Sequence, residues 1–358
     1  MSLPIQPHHA SQASPQTKFP LQLPFHPPHA WFKFVQQALI IPNLPAPLHY
    51  LNFRVLIGQP NIPIFKNHLA NQTSALDTIT LMSSVSPHMH GQFSHYSIEQ
   101  ACILKNDHYQ FGPNNHITGT LPKLQLQRED AELSIDLNIN THPIVSYFSK
   151  MRFGLYEHWS LMCDCQGLVV YKGKRFEIDH LGSFEYARAI YLPYLPLCFY
   201  TYQVIQLKDQ RQLLLLHIRN HFNQVLQSKI YLRDLNQASS VCFEHQVHFK
   251  VHRVYPKVMT PNQQTMYLPR EFEWRCKQGK QSIRIYAQSR GDFKFGLGAG
   301  YAGSFNYQIE IDQLQEEGTA GYCEYIDCRP LMWQEKNHPE MLREQLEHPI
   351  AVTIKNNK

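Results

Sequence analysis

The chain has 358 residues, of which 43% are hydrophobic, 12% aromatic and only 17% charged, so it is long enough for two domains that each bury a core. Its formal charge of +5 comes from Lys and Arg scattered along the sequence, which argues against a nucleic-acid partner. No charged start precedes an apolar core and no apolar run is long enough to span a bilayer, and none of the eight cysteines forms a C-x-x-C pair, so the chain reads as a cytoplasmic protein with reduced, mostly buried thiols.

Residues 1–30 are polar and proline-rich and read as a flexible arm lying over the fold. The histidines of this arm (His8, His9, His26 and His29) fit adventitious chelation better than a built metal site. From Ala30 to Ile41, Trp31, Phe34, Val35 and Leu39 recur at helical spacing, which predicts a short amphipathic helix ended by Pro42, Pro45 and Pro47. Docking on the domain is the plain reading of that helix. Its apolar face also leaves peripheral contact with a membrane surface open.

From Tyr50 onward the pattern is short runs of alternating polarity. Asn52–Gly58, Thr78–Val85 and Ile117–Leu126 read as strands. Ala131–Ile139 places Leu133, Ile135, Leu137 and Ile139 on one face, with Glu132, Ser134, Asp136 and Asn138 on the other. Leu168–Ile178 reads as a hairpin through Lys172-Gly173-Lys174. After the proline-bearing stretch Tyr191–Pro196 the style repeats: Phe199–Leu207 with Arg211–Arg219, Val247–Val254, Phe272–Cys276 with Ser282–Ala287, and Phe305–Ile311. Strands paired in sequence order form a meander, and closing it hides the edges. Gly296, Gly298, Gly300 and Gly303 precede a strand-like run rather than a helix, so they suit a tight bend and not a phosphate cradle. Pro339–Leu346 reads as a short helix before a polar tail.

One motif occurs twice. Phe153-Gly154-Leu155 leads to Gly182-Ser183-Phe184-Glu185-Tyr186, and Phe295-Gly296-Leu297 leads to Gly321-Tyr322-Cys323-Glu324-Tyr325. Two copies imply two similar domains in tandem, 31–195 and 196–335, with 336–358 as a helix and tail.

On these residues the chain resembles the two-domain lipocalin-like family that includes AttH proteins and carotenoid 1,2-hydratase. The resemblance implies an all-β fold of two consecutive antiparallel barrels with short flanking helices, and hydrophobic ligands held in a barrel mouth or between domains. The hydratases carry a His/Asp-rich motif where this chain reads Gly182 to Arg188. Here only His180 precedes it, so hydratase chemistry does not carry over.

Glu185 and Glu324 lie between aromatics at matching positions. A carboxylate there can face an apolar cavity and act as a proton donor, because burial raises its pKa. The alternative is structural, with the carboxylate held by Arg188 or Arg329, or by backbone N–H groups. His88 and His90 have same-face strand spacing, with His95 close by. They suit polar groups of a ligand pocket or plain loop histidines better than a metal site. Tyr156, Trp159 and Tyr186 offer an aromatic wall. Glu157 and His158, adjacent in a strand, face opposite ways and cannot act as a pair. No cofactor motif is present. The expectations are therefore ordered. The first is binding of a lipid, fatty acid or isoprenoid. The second is acid–base hydration, cyclisation or isomerisation of such a ligand, with Glu185 and His90 catalytic. The third is an interaction module with no small-molecule site.

Overall fold

The computed structural model describes residues 23–151, 154–191, 194–279 and 281–330. Phe153 of the first motif, the start of the arm with His8 and His9, and the helix expected at Pro339–Leu346 lie outside the described residues.

The first sheet is built from β1 (Phe32–Ile41), β2 (Leu51–Ile57), β3 (Thr78–Val85), β4 (Phe93–Ser97), β5 (Cys102–Lys105), β6 (His108–Phe111), β7 (Asn115–Thr120), β8 (Lys123–Arg128), β9 (Leu133–Lys150), β10 (Tyr156–Tyr171) and β11 (Lys174–Ile190). Every neighbour is antiparallel and adjacent in sequence, except that β11 returns to pair with β1, and the sheet opens between β4 and β5. Its two arms curl until they touch across the interior, where the Phe53 and Phe111 rings lie 6.5 Å apart.

The second sheet repeats the plan. Its members are β12 (Leu197–Gln206), β13 (Arg211–Asn220), β14 (Val225–Asp234), β15 (Ser239–Phe243) and β16 (His248–Val254), then, after the small ladder of β17 (Val258–Met259) and β18 (Thr265–Met266), β19 (Pro269–Gln278), β20 (Gln281–Ser289), β21 (Lys294–Leu297), β22 (Gly300–Ile311) and β23 (Leu314–Asp327). The last strand, β23, pairs with the first, β12, as β11 does with β1, and the opening lies between β15 and β16. The two repeated motifs therefore end in equivalent strands, with Glu185 opposite Ala38 and Glu324 opposite Tyr202. The fold is all-β, two lipocalin-like barrels in tandem.

The segment read as a helix, Ala30–Ile41, is a strand instead. Val35, Leu39 and Ile41 face the first barrel's core and Ile40 faces the second barrel, so β1 is covered on both sides. A strand buried on both faces is a continuous apolar run, and its spacing cannot be told from that of a buried helix. The exposed Trp31 precedes it. Ile117–Leu126, read as one run, splits into β7 and β8 around a turn at Leu121-Pro122.

A third apolar cluster, with Ile40, Tyr50, Met82, Phe148, Tyr200, Tyr202, Leu216 and Tyr322 among its members, forms the seam between the barrels. The glycine run makes the expected bend, with Gly298 (φ +53°) in the two-residue turn between β21 and β22, and it also serves this seam. A side chain on Gly296, whose φ is +137°, would meet the Phe93 ring of the first barrel at 2.8 Å, and the Ala299 N–H donates to the Ile64 carbonyl at 3.0 Å. No described helix is long and apolar enough to cross a membrane.

Candidate functional site

Alternation along β11 and β23 creates two environments from one motif. Phe184 and Tyr186 point into the first barrel, and Cys323 and Tyr325 into the second. Glu185 and Glu324 point the other way, into the seam.

Inside the first barrel, Trp159, Tyr186 and Gln37 occupy one lateral row of β10, β11 and β1. Trp159 and Tyr186 stack with centroids 5.4 Å apart. Tyr109 comes across from β6, and burial raises its phenol pKa first, with Tyr186 adding to the rise and the nearby Gln37 amide opposing it. All four residues are fully buried. Yet both ends of the Gln37 amide, the Tyr109 hydroxyl and the Trp159 indole N–H lack a hydrogen bond of ordinary geometry. Such an orphan typically costs about 1–3 kcal/mol, so this row is an unusual place to find several together.

What closes the row is not the barrel itself. Phe25, from the arm before β1, lies with its ring 5.6 Å from Tyr109, 5.8 Å from Phe184 and 5.5 Å from Tyr186. The next residue latches the arm: Tyr186 Oη donates to the His26 carbonyl at 2.9 Å, and His26 Nε2 lies 2.8 Å from Arg188 Nη1. Arg188 is held in turn by Glu157 at 2.9 Å and covers the Phe32 ring. Burial first, then the charge of Arg188, outweigh the hydrogen bond to the Pro27 carbonyl and leave the His26 pKa below its usual value, which suits a neutral ring facing that guanidinium.

At the seam, Arg54 of β2 donates to Glu185 Oε2 at 3.3 Å and to Glu324 Oε1, so one guanidinium serves a carboxylate from each barrel. Tyr322 and Tyr200 donate to Glu324 at 2.9 and 3.1 Å. His158 Nε2 stands 3.7 Å from Glu185, with Tyr156 Oη 3.3 Å from its other ring nitrogen. Burial pushes both carboxyls up. Arg54, then His158, outweigh that for Glu185 and hold it below the usual range, while Glu324, next to an already charged Glu185, rises to about 7. One cation stands against two carboxylates, so Glu324 takes up a proton more readily than Glu185. Burial holds His158 below its usual pKa despite Glu185.

The proposed site residues thus separate into three places. Glu185, Glu324 and Tyr156 meet at the seam, and the partner of both carboxylates is Arg54 rather than Arg188 or Arg329. Trp159 and Tyr186 line the first barrel. His90 is exposed in the β3–β4 connection and His95 is exposed on β4, while His88 is buried with both ring nitrogens lacking a hydrogen bond of ordinary geometry. The structure does not bring His90 to Glu185, whose neighbours are Arg54 and His158. Among the described residues no three His, Cys, Asp or Glu side chains converge as metal ligands. The sequence reading passed over Arg54, Gln37 and Phe25. A charged or amide side chain inside an otherwise apolar strand was the available signal for the first two, and none marked Phe25.

No curated protein matches this sequence. Among solved structures, a protein of Nitrosomonas europaea solved under the name AttH superposes with a TM-score of 0.58 at 11% identity, covering 88% of this chain and 100% of its own. The kievitone hydratase of Nectria haematococca superposes with a TM-score of 0.51 at 10% identity, covering 82% of this chain and 89% of its own. At such identities the likeness is one of fold alone. Residues 54–340 match the model of a family of unknown function, DUF6670, and the chain belongs to that family.

Proposed function

We propose that the protein binds an apolar small molecule inside its first barrel. The observation that carries this reading is the buried row of Gln37, Tyr109 and Trp159, whose polar atoms lack hydrogen bonds of ordinary geometry inside an aromatic wall, with Gln37 and Tyr109 close enough only to perturb each other. Folding tolerates such orphans where a ligand completes them. The site matches the usual composition of small-molecule pockets, an apolar lining with a few convergent polar groups. The fold it shares with a hydratase is compatible with ligand handling.

Native mass spectrometry of the full chain with a panel of fatty acids, isoprenoid alcohols and aryl alcohols tests the reading. A 1:1 complex that weakens in Gln37→Leu and persists in Gln203→Leu is the expected result. No complex with any member at millimolar concentration sinks the reading, as does a complex indifferent to Gln37→Leu.

A second reading, acid–base chemistry at the seam, has its own observation: two buried carboxylates whose pKa values are pushed apart, an arrangement that supplies an acid and a base side by side. In this reading Glu324 gives the proton, and Glu185 with His158 receives one. It predicts that Glu324→Gln and Glu185→Gln each abolish conversion of a bound ligand while leaving its binding intact. Conversion that survives both substitutions excludes it.

A further inference from the structure

We propose that the ligand of the first barrel carries one aromatic or similarly flat ring beside a neutral hydrogen-bonding group, and that Phe25 holds that ring's place in the unliganded chain. This rests on the barrel-binding reading above and adds the ligand's class and its competitor.

Phe25 meets Phe184 and Tyr186 at interplanar angles of 71° and 67°, and Tyr109 at 46°. Edge-on contacts on several sides are the geometry that a cage of aromatic side chains offers to a ring. The cage residues belong to β6 and β11, whereas Phe25 belongs to a segment outside the barrel's strands. The occupant can therefore leave without unpairing the sheet. Beyond Leu23 and Phe25 the arm is held by the clasp of His26 on Tyr186 and Arg188 and by the His26 and His29 rings against Phe32.

The chemistry of the head group follows from what Phe25 leaves undone. A hydrocarbon ring cannot bond to the Trp159 N–H, the Tyr109 hydroxyl or the Gln37 amide. Trp159 only donates, while Gln37 and Tyr109 can donate or accept. A hydroxyl or carbonyl oxygen meets that set, and a hydroxyl also donates to Gln37 Oε1. An ionised head group does not fit, because no cation lies in the row and burying an unpaired charge is far costlier than burying a hydroxyl.

The test uses 1-naphthol as probe, titrated into full-length chains and followed by calorimetry. Removing the internal competitor restores the fraction of chain competent to bind, so Phe25→Ala is expected to lower the Kd for 1-naphthol about tenfold. Arg188→Gln, which loosens the clasp without touching the cage, lowers it less. Amide exchange of His26 and His29, whose N–H groups donate to Tyr186 Oη and the Phe32 carbonyl, rises in the unmodified chain when 1-naphthol saturates it. Naphthalene-1-carboxylate, the charged analogue, binds at least about tenfold more weakly. If Phe25→Ala melts early, Phe25→Leu keeps the apolar fill and removes only the ring. Equal Kd values for unmodified chain and Phe25 variants, with arm exchange unmoved, overturn the displacement while the barrel site stands. Equal binding of the carboxylate overturns the neutral head group. No binding by any variant overturns this proposal and the barrel reading together.

Discussion

The two barrels share a plan and differ in how they treat a buried glutamine. In the second barrel, Gln203 of β12 accepts from Trp274 Nε1 at 2.6 Å and donates to Thr201 Oγ1 at 3.2 Å, and Thr201 donates to the Glu324 carbonyl at 2.8 Å. The chain of bonds is closed, and the surrounding Phe199, Phe249, Phe272 and Phe305 fill the space. In the first barrel, Gln37 of the equivalent strand β1 makes no hydrogen bond of ordinary geometry, although Trp159 is in the same row and Tyr109 is near enough to feel its amide. The interior side chains of both barrels are buried. The difference is that the second barrel is finished by its own strands, and the first is finished by an arm. A polar network that closes on itself rigidifies a core, and one left open costs free energy.

The largest expected effect lies at the seam, where equivalent glutamates of the two barrels have become unequal. Arg54→Met removes the cation from two buried carboxylates and is expected to lower stability by about 3–5 kcal/mol in denaturant unfolding. A loss below about 1 kcal/mol would mean that Glu185 and Glu324 do not depend on it. Next is the pair that contrasts the interiors directly. Trp274→Phe leaves Gln203 Oε1 without its donor and is expected to cost about 1–3 kcal/mol, whereas Gln37→Leu removes groups that already lack bonds of ordinary geometry and stays within about 1 kcal/mol of neutral or stabilises. Equal losses would erase the distinction between the barrels.

The smallest effect is on pH dependence. The Glu324 carboxyl rises from 4.5 to about 7 on folding, so its proton favours the native state. Its contribution is present at and below pH 4.5 and is lost as pH climbs towards 7. Glu185, held below 4.5, contributes above that value and its share is lost as pH falls further. His158, held below 6.5, likewise weakens the fold as it is protonated, opposing Glu324 over part of the window. The net change in the unmodified chain is therefore modest. Glu324→Gln is expected to remove the decline between about pH 5 and 7 and leave the acid loss in place, read as the difference between two stability curves. Parallel curves would show that Glu324 is ionised throughout.

Much of the fold was legible because strands with one wet face announce themselves. The alternation of Ala131–Ile139 and the hairpin at Lys172-Gly173 appear where the pattern puts them. The strand β1 escaped because both its faces are dry, which erases the period of two. The motif around Glu185 and Glu324 was visible as a repeat, but the direction of each carboxylate was not. One residue of register decides between barrel and seam, and no local propensity fixes it. Arg54, 131 positions before Glu185 and 270 before Glu324, could be joined to them only by folding.

The residue pattern alone set the class, the doubling and the meander order, because these follow from local periodicity and from a motif written twice. Which glutamine is bonded, which glutamate takes up a proton more readily and what the arm covers depend on side chains brought together from distant strands. Burial and neighbouring charge act through space, so only the assembled structure decided them.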